Sequence, residues 1–107
     1  MTDSALENEI KVGKVERAAK FEEARKPEMF KLWLDLGNRE VQSAAQLGYN
    51  HTVEEVEGQQ VLCVTDLGEV RIAGFKSEVL TLGVPDEDGN PVLVSPDQEV
   101  PVGGNLY

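Results

Sequence analysis

Residues 30–47 read FKLWLDLGNREVQSAAQL and contain two runs in which apolar and polar side chains alternate. Successive side chains of a β-strand point to opposite faces, so each run predicts a strand with one buried face. The residues on that face are Phe30, Leu32, Leu34 and Leu36, followed by Val41, Ser43, Ala45 and Leu47. Gly37 and Asn38 stand between the runs as turn formers. The stretch therefore predicts a β-hairpin.

Another strand is predicted upstream, over residues 10–21. Its apolar residues change phase along the run and are Ile10, Val12, Val15, Ala19 and Phe21. A β-bulge at Gly13 would reconcile the two phases and bend the strand, as a barrel requires. The segment that leads into the hairpin, residues 21–29, is charged and contains Pro27, so it predicts a connecting loop.

The second half of the chain predicts one short helix and then further strands. Thr52 and Glu55 have the spacing of a capping box, and Gly58 is a stop signal, so the helix has one or two turns. After the helix we predict a strand that is buried on both faces over QVLCVTDL (60–67) and then an irregular stretch over GEVRIAGFK (68–76). A further strand over SEVLTLGV (77–84) is followed by a turn over PDEDGNP (85–91) and by a short strand over VLVS (92–95). The chain then continues as a non-helical extension over PDQEVPVGGNLY (96–107).

These segments predict an all-β fold: a five-stranded barrel with one short helix between the third and fourth strands and a C-terminal extension. The alternation of strands and helices that a parallel sheet needs is missing from the pattern. The arrangement favours a barrel of the OB type. A chain of 107 residues fits one hydrophobic core, so we expect a polar leader over residues 1–9 and one domain over residues 10–107.

The net charge of −10 is distributed unevenly. Residues 1–50 hold eight basic and nine acidic side chains, whereas residues 51–107 hold two basic and eleven acidic ones. Phosphate binding depends on Lys and Arg, so a nucleic-acid surface would lie mostly in the first half. An acidic surface also keeps a protein soluble, for instance in a salt-rich cytoplasm.

The sequence predicts a cytoplasmic protein that does not insert into membranes. No apolar run approaches the roughly 20 residues that a membrane-spanning helix needs. The N-terminus, MTDSALENEIK, begins with acidic and polar residues, whereas a signal peptide begins with basic residues before an apolar core.

No catalytic centre, metal site or cofactor is expected. Cys63 is the only cysteine and lies in the apolar run VLCV, which predicts a buried thiol without a disulfide. His51, the only histidine, has no other His or Cys nearby to complete a metal site, so we expect it at the surface where the helix begins. Residues 86–90 lack the full ligand spacing of a calcium loop.

Four segments carry a resemblance to a known family: VGKV (12–15), ARKPEMFKLWLDLG (24–37), RIAGFKSEVLTLGVPDEDG (71–89) and VLVSPDQEVPVGG (92–104). From Lys11 to Tyr107 the chain resembles the tRNA-binding-domain family, which includes domains appended to methionyl-tRNA synthetases and freestanding dimeric proteins. Within that family it is similar to the CsaA-type protein export chaperones. The resemblance implies the OB fold.

The resemblance also implies partners. It implies a homodimer in which the leader and the segment from about residue 96 pack across a two-fold axis, with Val102, Leu106 and Tyr107 at the interface. It implies grooves that hold unfolded or pre-secretory polypeptides without ATP, in cooperation with export machinery. The alternative is a protein that recognises the outer corner of tRNA by shape and phosphate contacts.

Basic and aromatic residues are the first candidates for the groove. Arg25 and Lys26 lie in the first loop, where they could contact phosphate or an acidic partner, although a solvated turn explains them equally well. Arg71 is either a ligand contact or half of an ion pair with Asp66 or Glu69. The remaining aromatic candidate is Phe75, predicted in a loop as either the plug of the barrel or an exposed apolar anchor.

Polar candidates come from the resemblance alone. It implies that Ser43, Gln46, Asp66, Ser77 and Glu78 line the groove, where hydroxyl and carboxylate groups could bond the backbone of a ligand. Relatives usually have Asn where this chain has Asp66, and they have prolines and an extra base where it has GEV at residues 68–70. These departures disfavour tight tRNA binding. Trp33 is expected either to pack under a second sheet layer or to reach a dimer partner.

Overall fold

The computed structural model describes residues 6–107, which form nine strands and one short helix. In chain order the elements are β1 (Ile10–Lys20), β2 (Phe30–Asp35), β3 (Glu40–Ala45), α1 (Val53–Val56), β4 (Gln60–Val64), β5 (Val70–Ile72), β6 (Phe75–Ser77), β7 (Leu80–Thr81), β8 (Gly83–Pro85) and β9 (Pro91–Leu93). Leader residues 1–5 lie outside the described part.

Five strands form a nearly closed antiparallel barrel in the order β3-β2-β1-β4-β7. The long strand β1 pairs with β4 through its first half and with β2 through its second half, so it must curl around the barrel. The helix α1 lies between the third and fourth barrel strands along the chain. The all-β class and the OB-like barrel predicted from the sequence are confirmed.

The bulge in β1 lies three residues later than predicted. The register with β2 shifts between Val15 and Arg17, which makes Glu16 the extra residue, whereas Gly13 pairs regularly with Val61 of β4. A Cβ atom at Gly13 would lie 3.2 Å from the side chain of Leu36, so the glycine provides space rather than a bend. As a consequence Ala18, and not Ala19, is buried in the core.

The hairpin of β2 and β3 forms as predicted and supplies much of the core. Leu32 and Leu34 are fully buried, as is Val41 on the facing strand. The strand β4 is buried on both faces over residues 61–64, also as predicted. The buried cluster is Val15, Ala18, Phe30, Leu32, Leu34, Leu36, Val41, Leu47, Val56, Val61, Cys63 and Val79.

The helix begins with the predicted capping box. The Glu55 N–H donates to Thr52 Oγ1 and the Thr52 N–H donates to Glu55 Oε1. His51, however, is half-buried rather than on the surface, because its Nε2 accepts the N–H of Leu93 at 3.2 Å and so ties the start of the helix to β9. The sequence gives no signal for this long-range bond.

Two predictions for residues 68–84 are wrong. The stretch expected to be irregular forms the β5–β6 hairpin, and its two-residue turn has positive φ at Ala73 (46°) and Gly74 (83°). The strand expected over residues 77–84 is divided among β6, β7 and β8, because the chain leaves one sheet and joins two others within eight residues. The turn at residues 85–91 joins β8 to β9 as predicted.

The C-terminal segment is extended and lies along β1 of the same chain. The N–H groups of Gly103 and Leu106 donate to the carbonyls of Val12 and Ile10, and the Val12 N–H donates to Gly104. Of the residues expected at a dimer interface, Val102 is half-buried, whereas Leu106 is 36% and Tyr107 92% exposed. None of the helical structure described for residues 6–107 is long and apolar enough to span a membrane.

Candidate binding site

The loop between β1 and β2, residues 21–29, is held in a fixed shape by hydrogen bonds at its base. The Phe21 N–H donates to Met29 O at 2.8 Å, and Gly48 N–H donates to Glu28 O at 2.9 Å. Gln46 Nε2 donates to Pro27 O at 2.9 Å. The predicted site residue Gln46 therefore braces the loop that carries Arg25 and Lys26.

This loop faces the β5–β6 hairpin across a cavity of about 430 Å³, which we name the rim pocket. The three basic candidates Arg25, Lys26 and Arg71 meet there, although Arg25 and Arg71 lie 46 positions apart along the chain. Apolar side chains complete the lining, namely Ala24, Met29, Ile72 and Ala73. The rim pocket thus combines an apolar surface with three cations.

The cations of the rim pocket are free of ion pairs within the described chain. Over residues 6–107 the one ion pair joins Lys31 Nζ to Glu23 Oε1 at 4.0 Å. Asp66 is not a partner of Arg71, since its carboxylate accepts the Glu9 N–H and Asn8 Nδ2. These hydrogen bonds lower the pKa of Asp66, the bond from the Glu9 N–H most of all.

The polar candidates Ser43, Ser77 and Glu78 lie elsewhere, where the edge of β3 meets the chain from β6 to β7. Ser77 Oγ accepts the Ala44 N–H at 3.0 Å, and Glu78 Oε1 accepts the Gln42 N–H at 2.9 Å. The Glu78 N–H donates to Gln42 O at 2.8 Å. In the same region the buried Thr81 Oγ1 donates to Ser43 Oγ at 2.8 Å. We name this set of contacts the β3 seam.

Phe75 begins β6 and does not lie in a loop as predicted. The ring is half-buried and meets Phe21 and Trp33 edge to face, with centroids 5.5 Å and 5.7 Å away. The Arg17 guanidinium lies 4.4 Å from the Trp33 ring centroid, and Lys31 Nζ lies 4.8 Å from that of Phe21. Trp33 therefore packs under the β5–β6 hairpin, and the aromatic contacts hold that hairpin against the barrel.

Sequence reasoning missed the apolar half of the rim pocket. Met29 lies within the charged segment expected to be a solvated loop, and Ile72 and Ala73 lie within the stretch expected to be irregular. The available signal was the presence of apolar residues within three positions of the basic ones, in ARKPEM and in RIAG. Met29 is almost fully buried, with 8% of its surface exposed.

A second apolar cavity, of about 450 Å³, lies between the barrel and the C-terminal segment. We name it the tail groove; its apolar lining residues are Val12, Leu62, Pro96, Val100, Pro101 and Leu106. Of the residues expected at a dimer interface, Leu106 lines this groove.

The described residues also limit the chemistry of the chain. Over residues 6–107 no three His, Cys, Asp or Glu side chains are grouped so that they could hold a metal ion. Cys63 is buried as predicted, and burial raises the pKa of its thiol to about 11, so the reactive thiolate is scarce at neutral pH.

Comparison with known proteins identifies the family. The family described as "Putative tRNA binding domain" matches residues 10–105. The chain belongs to this family. A tRNA-binding domain with this barrel and this pocket points to binding rather than to catalysis.

Solved structures similar to this tRNA-binding domain include two chaperones. CsaA from Bacillus anthracis is 35% identical with a TM-score of 0.84, over 94% of this chain and 90% of that one. CsaA from Picrophilus torridus is 32% identical with a TM-score of 0.85, over 94% and 92% of the two chains.

A tRNA-binding domain also occurs as part of larger enzymes. The methionine–tRNA ligase of Bacillus subtilis is 33% identical over 104 residues, which cover 97% of this chain and 15% of the ligase. The chain therefore matches a small part of the ligase. These two lines of similarity fit a polypeptide or a tRNA partner.

Proposed function

We propose that this tRNA-binding domain is a non-catalytic binding protein that holds extended segments of unfolded polypeptides at the rim pocket. The observation that carries the proposal is the apolar surface of Met29, Ile72 and Ala73 beside three cations that have no ion-pair partner among residues 6–107. Such a surface suits an apolar side chain flanked by acidic residues, since burial and charge pairing then act together. Its similarity to the two CsaA chaperones supports the same reading.

The charge distribution favours polypeptide over tRNA. Affinity for a phosphate backbone rises with the number of phosphates that Lys and Arg neutralise. The rim pocket offers three cations, while the whole chain carries 20 acidic and 10 basic side chains. Glu69, which is exposed beside β5, adds to the repulsion of a polyanion.

Structure-specific tRNA binding is the second candidate. It is favoured by the same three cations and by similarity to a domain of methionine–tRNA ligases. In that case Arg25, Lys26 and Arg71 would contact phosphates.

A homodimer in the cytoplasm belongs to the same proposal. The tail groove and the exposed Tyr107 would be covered by a second copy, with Val102 and Leu106 beside them. A dimer would carry two rim pockets and could hold two segments of one polypeptide, which raises the avidity. Its clients would be precursor polypeptides on their way to export machinery.

Salt dependence separates the two ligands. We expect a labelled, permanently unfolded polypeptide to lose only part of its affinity when salt is raised, because its contacts with the three cations are screened while its apolar contact is kept or strengthened. Binding of labelled tRNA should weaken steeply over the same range. Fluorescence anisotropy titrations at low and high salt measure both. Tight tRNA binding together with no polypeptide binding would contradict the proposal.

Variants locate the site. We expect the triple variant Arg25→Ala, Lys26→Ala, Arg71→Ala to lower the affinity for the unfolded polypeptide by about tenfold or more, since three charge-assisted contacts are lost. A control with the same change in charge replaces Lys14, Lys20 and Arg39, which are exposed outside the rim pocket. Equal losses in the two triples would place the binding elsewhere.

A further inference from the structure

One strand edge beside the rim pocket has unpaired backbone groups. In the β5–β6 hairpin Ile72 faces Phe75 across the two-residue turn, and Arg71 faces Lys76. Residues that flank such a turn bond each other, and the next pair in an antiparallel ladder does not. The N–H and C=O groups of Arg71 and Lys76 therefore point away from the hairpin, to opposite sides.

The contacts of Lys76 confirm that its backbone groups point away from β5. Its carbonyl points toward β3, where it accepts Gln42 Nε2 at 2.9 Å. The β6 side of the hairpin is thus closed against the barrel through the β3 seam.

Arg71 occupies the equivalent position on the β5 side. Within residues 6–107 its N–H and C=O have no hydrogen-bond partner, and the residue is exposed. A strand edge of this kind is a template on which another extended chain can pair.

The same edge forms one wall of the rim pocket. Arg71, Ile72 and Ala73 are consecutive and all three line the cavity. Arg71 and Ile72 are neighbours in β5, so their side chains point to opposite faces of the strand; since both residues line the cavity, it lies along the edge of β5 and not over one face. A chain that paired with β5 would therefore run along the pocket.

We propose that the polypeptide held at the rim pocket adds a strand to the β5 edge. The backbone of one of its residues pairs with the N–H and C=O of Arg71. An apolar side chain enters between Met29 and Ile72, and acidic neighbours meet Arg25 and Lys26. This inference rests on the proposed function and adds a selection rule: an extended segment of alternating apolar and acidic residues, with an N–H at the pairing position.

Peptides test the backbone contact without any change to the protein. The probe is a labelled synthetic peptide Glu-Leu-Glu-Leu-Glu-Leu, and the comparison is Lys-Leu-Lys-Leu-Lys-Leu. We expect the acidic peptide to bind about tenfold more tightly, because its charges complement the three cations. Each backbone nitrogen of the acidic peptide is then methylated in turn. Methylation at the pairing position should lower the affinity about fivefold, while at adjacent positions it should not, since alternate N–H groups point away from β5.

Two variants of Arg71 test the same contact from the protein side. Arg71→Ala removes the side chain and keeps the N–H, whereas Arg71→Pro removes both. Proline is tolerated at the unbonded position of an edge strand, so both variants should fold, and circular dichroism checks this. We expect Arg71→Pro to bind the acidic peptide about fivefold more weakly than Arg71→Ala. If Arg71→Pro does not fold, the series of methylated peptides, measured on the unaltered protein, decides whether the peptide adds a strand.

The outcomes separate this inference from the proposed function. Peptide binding that tolerates every methylation, or equal affinities of the two variants, would overturn strand addition and leave the rim pocket as a binding site. No binding of either peptide or of unfolded polypeptide would overturn the proposed function itself. Sedimentation velocity tests whether a second copy of the chain pairs with the β5 edge instead of a client. If Arg71→Pro lowers the oligomeric state and Arg71→Ala does not, the second copy occupies the edge and strand addition by a client is wrong.

Discussion

The two sides of the β5–β6 hairpin differ in how their backbone groups are satisfied. On the β6 side, Gln42 bonds the Lys76 carbonyl, and side chains of Ser77 and Glu78 bond two N–H groups of β3. On the β5 side, Arg71 is exposed and unpaired within residues 6–107. Because closed edges resist unwanted pairing and open edges invite it, we assign stability to the β3 seam and binding to the β5 edge.

The largest effect is expected from breaking the β3 seam. The double variant Ser77→Ala, Glu78→Ala leaves the N–H groups of Ala44 and Gln42 without their acceptors. We expect the free energy of unfolding to fall by about 2–4 kcal/mol, since each partly buried group then loses its hydrogen bond. Urea denaturation followed by circular dichroism measures the change.

A matched double variant provides the control. Glu69→Ala, Ser95→Ala removes the same two side-chain types at exposed positions outside the seam. Its free energy of unfolding should stay within about 0.5 kcal/mol of the parent value. If the seam variant were as stable as this control and lost polypeptide binding instead, Ser77 and Glu78 would be ligand contacts, as the resemblance implied.

The contrast between the two sides also marks how far the sequence could predict this molecule. The alternation in residues 30–47 depends on burial alone, and the hairpin, its buried face and the capping box at Thr52 all form as predicted. The basic candidates Arg25, Lys26 and Arg71 do meet in one pocket. Local pattern was sufficient for the hairpin and the helix cap, where neighbours in the chain are neighbours in space, but no local pattern links Arg25 to Arg71, which are 46 positions apart.

Long-range polar contacts account for what the sequence could not predict. The hydroxyl of Ser77 and the carboxylate of Glu78 have the chemistry of ligand contacts, and their partners in β3 lie more than 30 residues away. The same holds for His51, whose bond to Leu93 spans 42 residues. The bulge in β1 was misplaced because Val12 is buried against the C-terminal segment and not in the core cluster that holds Val15, so their difference in phase needs no bulge at Gly13.

A smaller effect is expected within the β3 seam, where Ser43 and Thr81 bond each other and are both buried. Ser43→Ala alone leaves the Thr81 hydroxyl without an acceptor and should cost about 1–2 kcal/mol of unfolding free energy. The pair Ser43→Ala, Thr81→Val removes both hydroxyls and should cost less than the sum of the single variants, with a coupling of about 1 kcal/mol. Urea titrations of all four proteins complete the cycle. Strict additivity would mean that the two hydroxyls act independently of each other.

The smallest effect concerns the turn that presents the open edge. Ala73 has φ of 46°, in a left-handed conformation that costs a residue with a Cβ atom about 1 kcal/mol or more. Asparagine tolerates this conformation and is preferred before glycine in such turns, so Ala73→Asn should raise the free energy of unfolding by about 0.5–1 kcal/mol. Gly74→Ala, at φ of 83°, is the matched control and should lower it by a similar amount, because it adds the strain that the first variant relieves. Thermal denaturation of the two variants measures both signs. A gain of stability in Gly74→Ala would mean that the turn is not held in this conformation, and the direction in which Arg71 presents its backbone would then no longer follow from the hairpin.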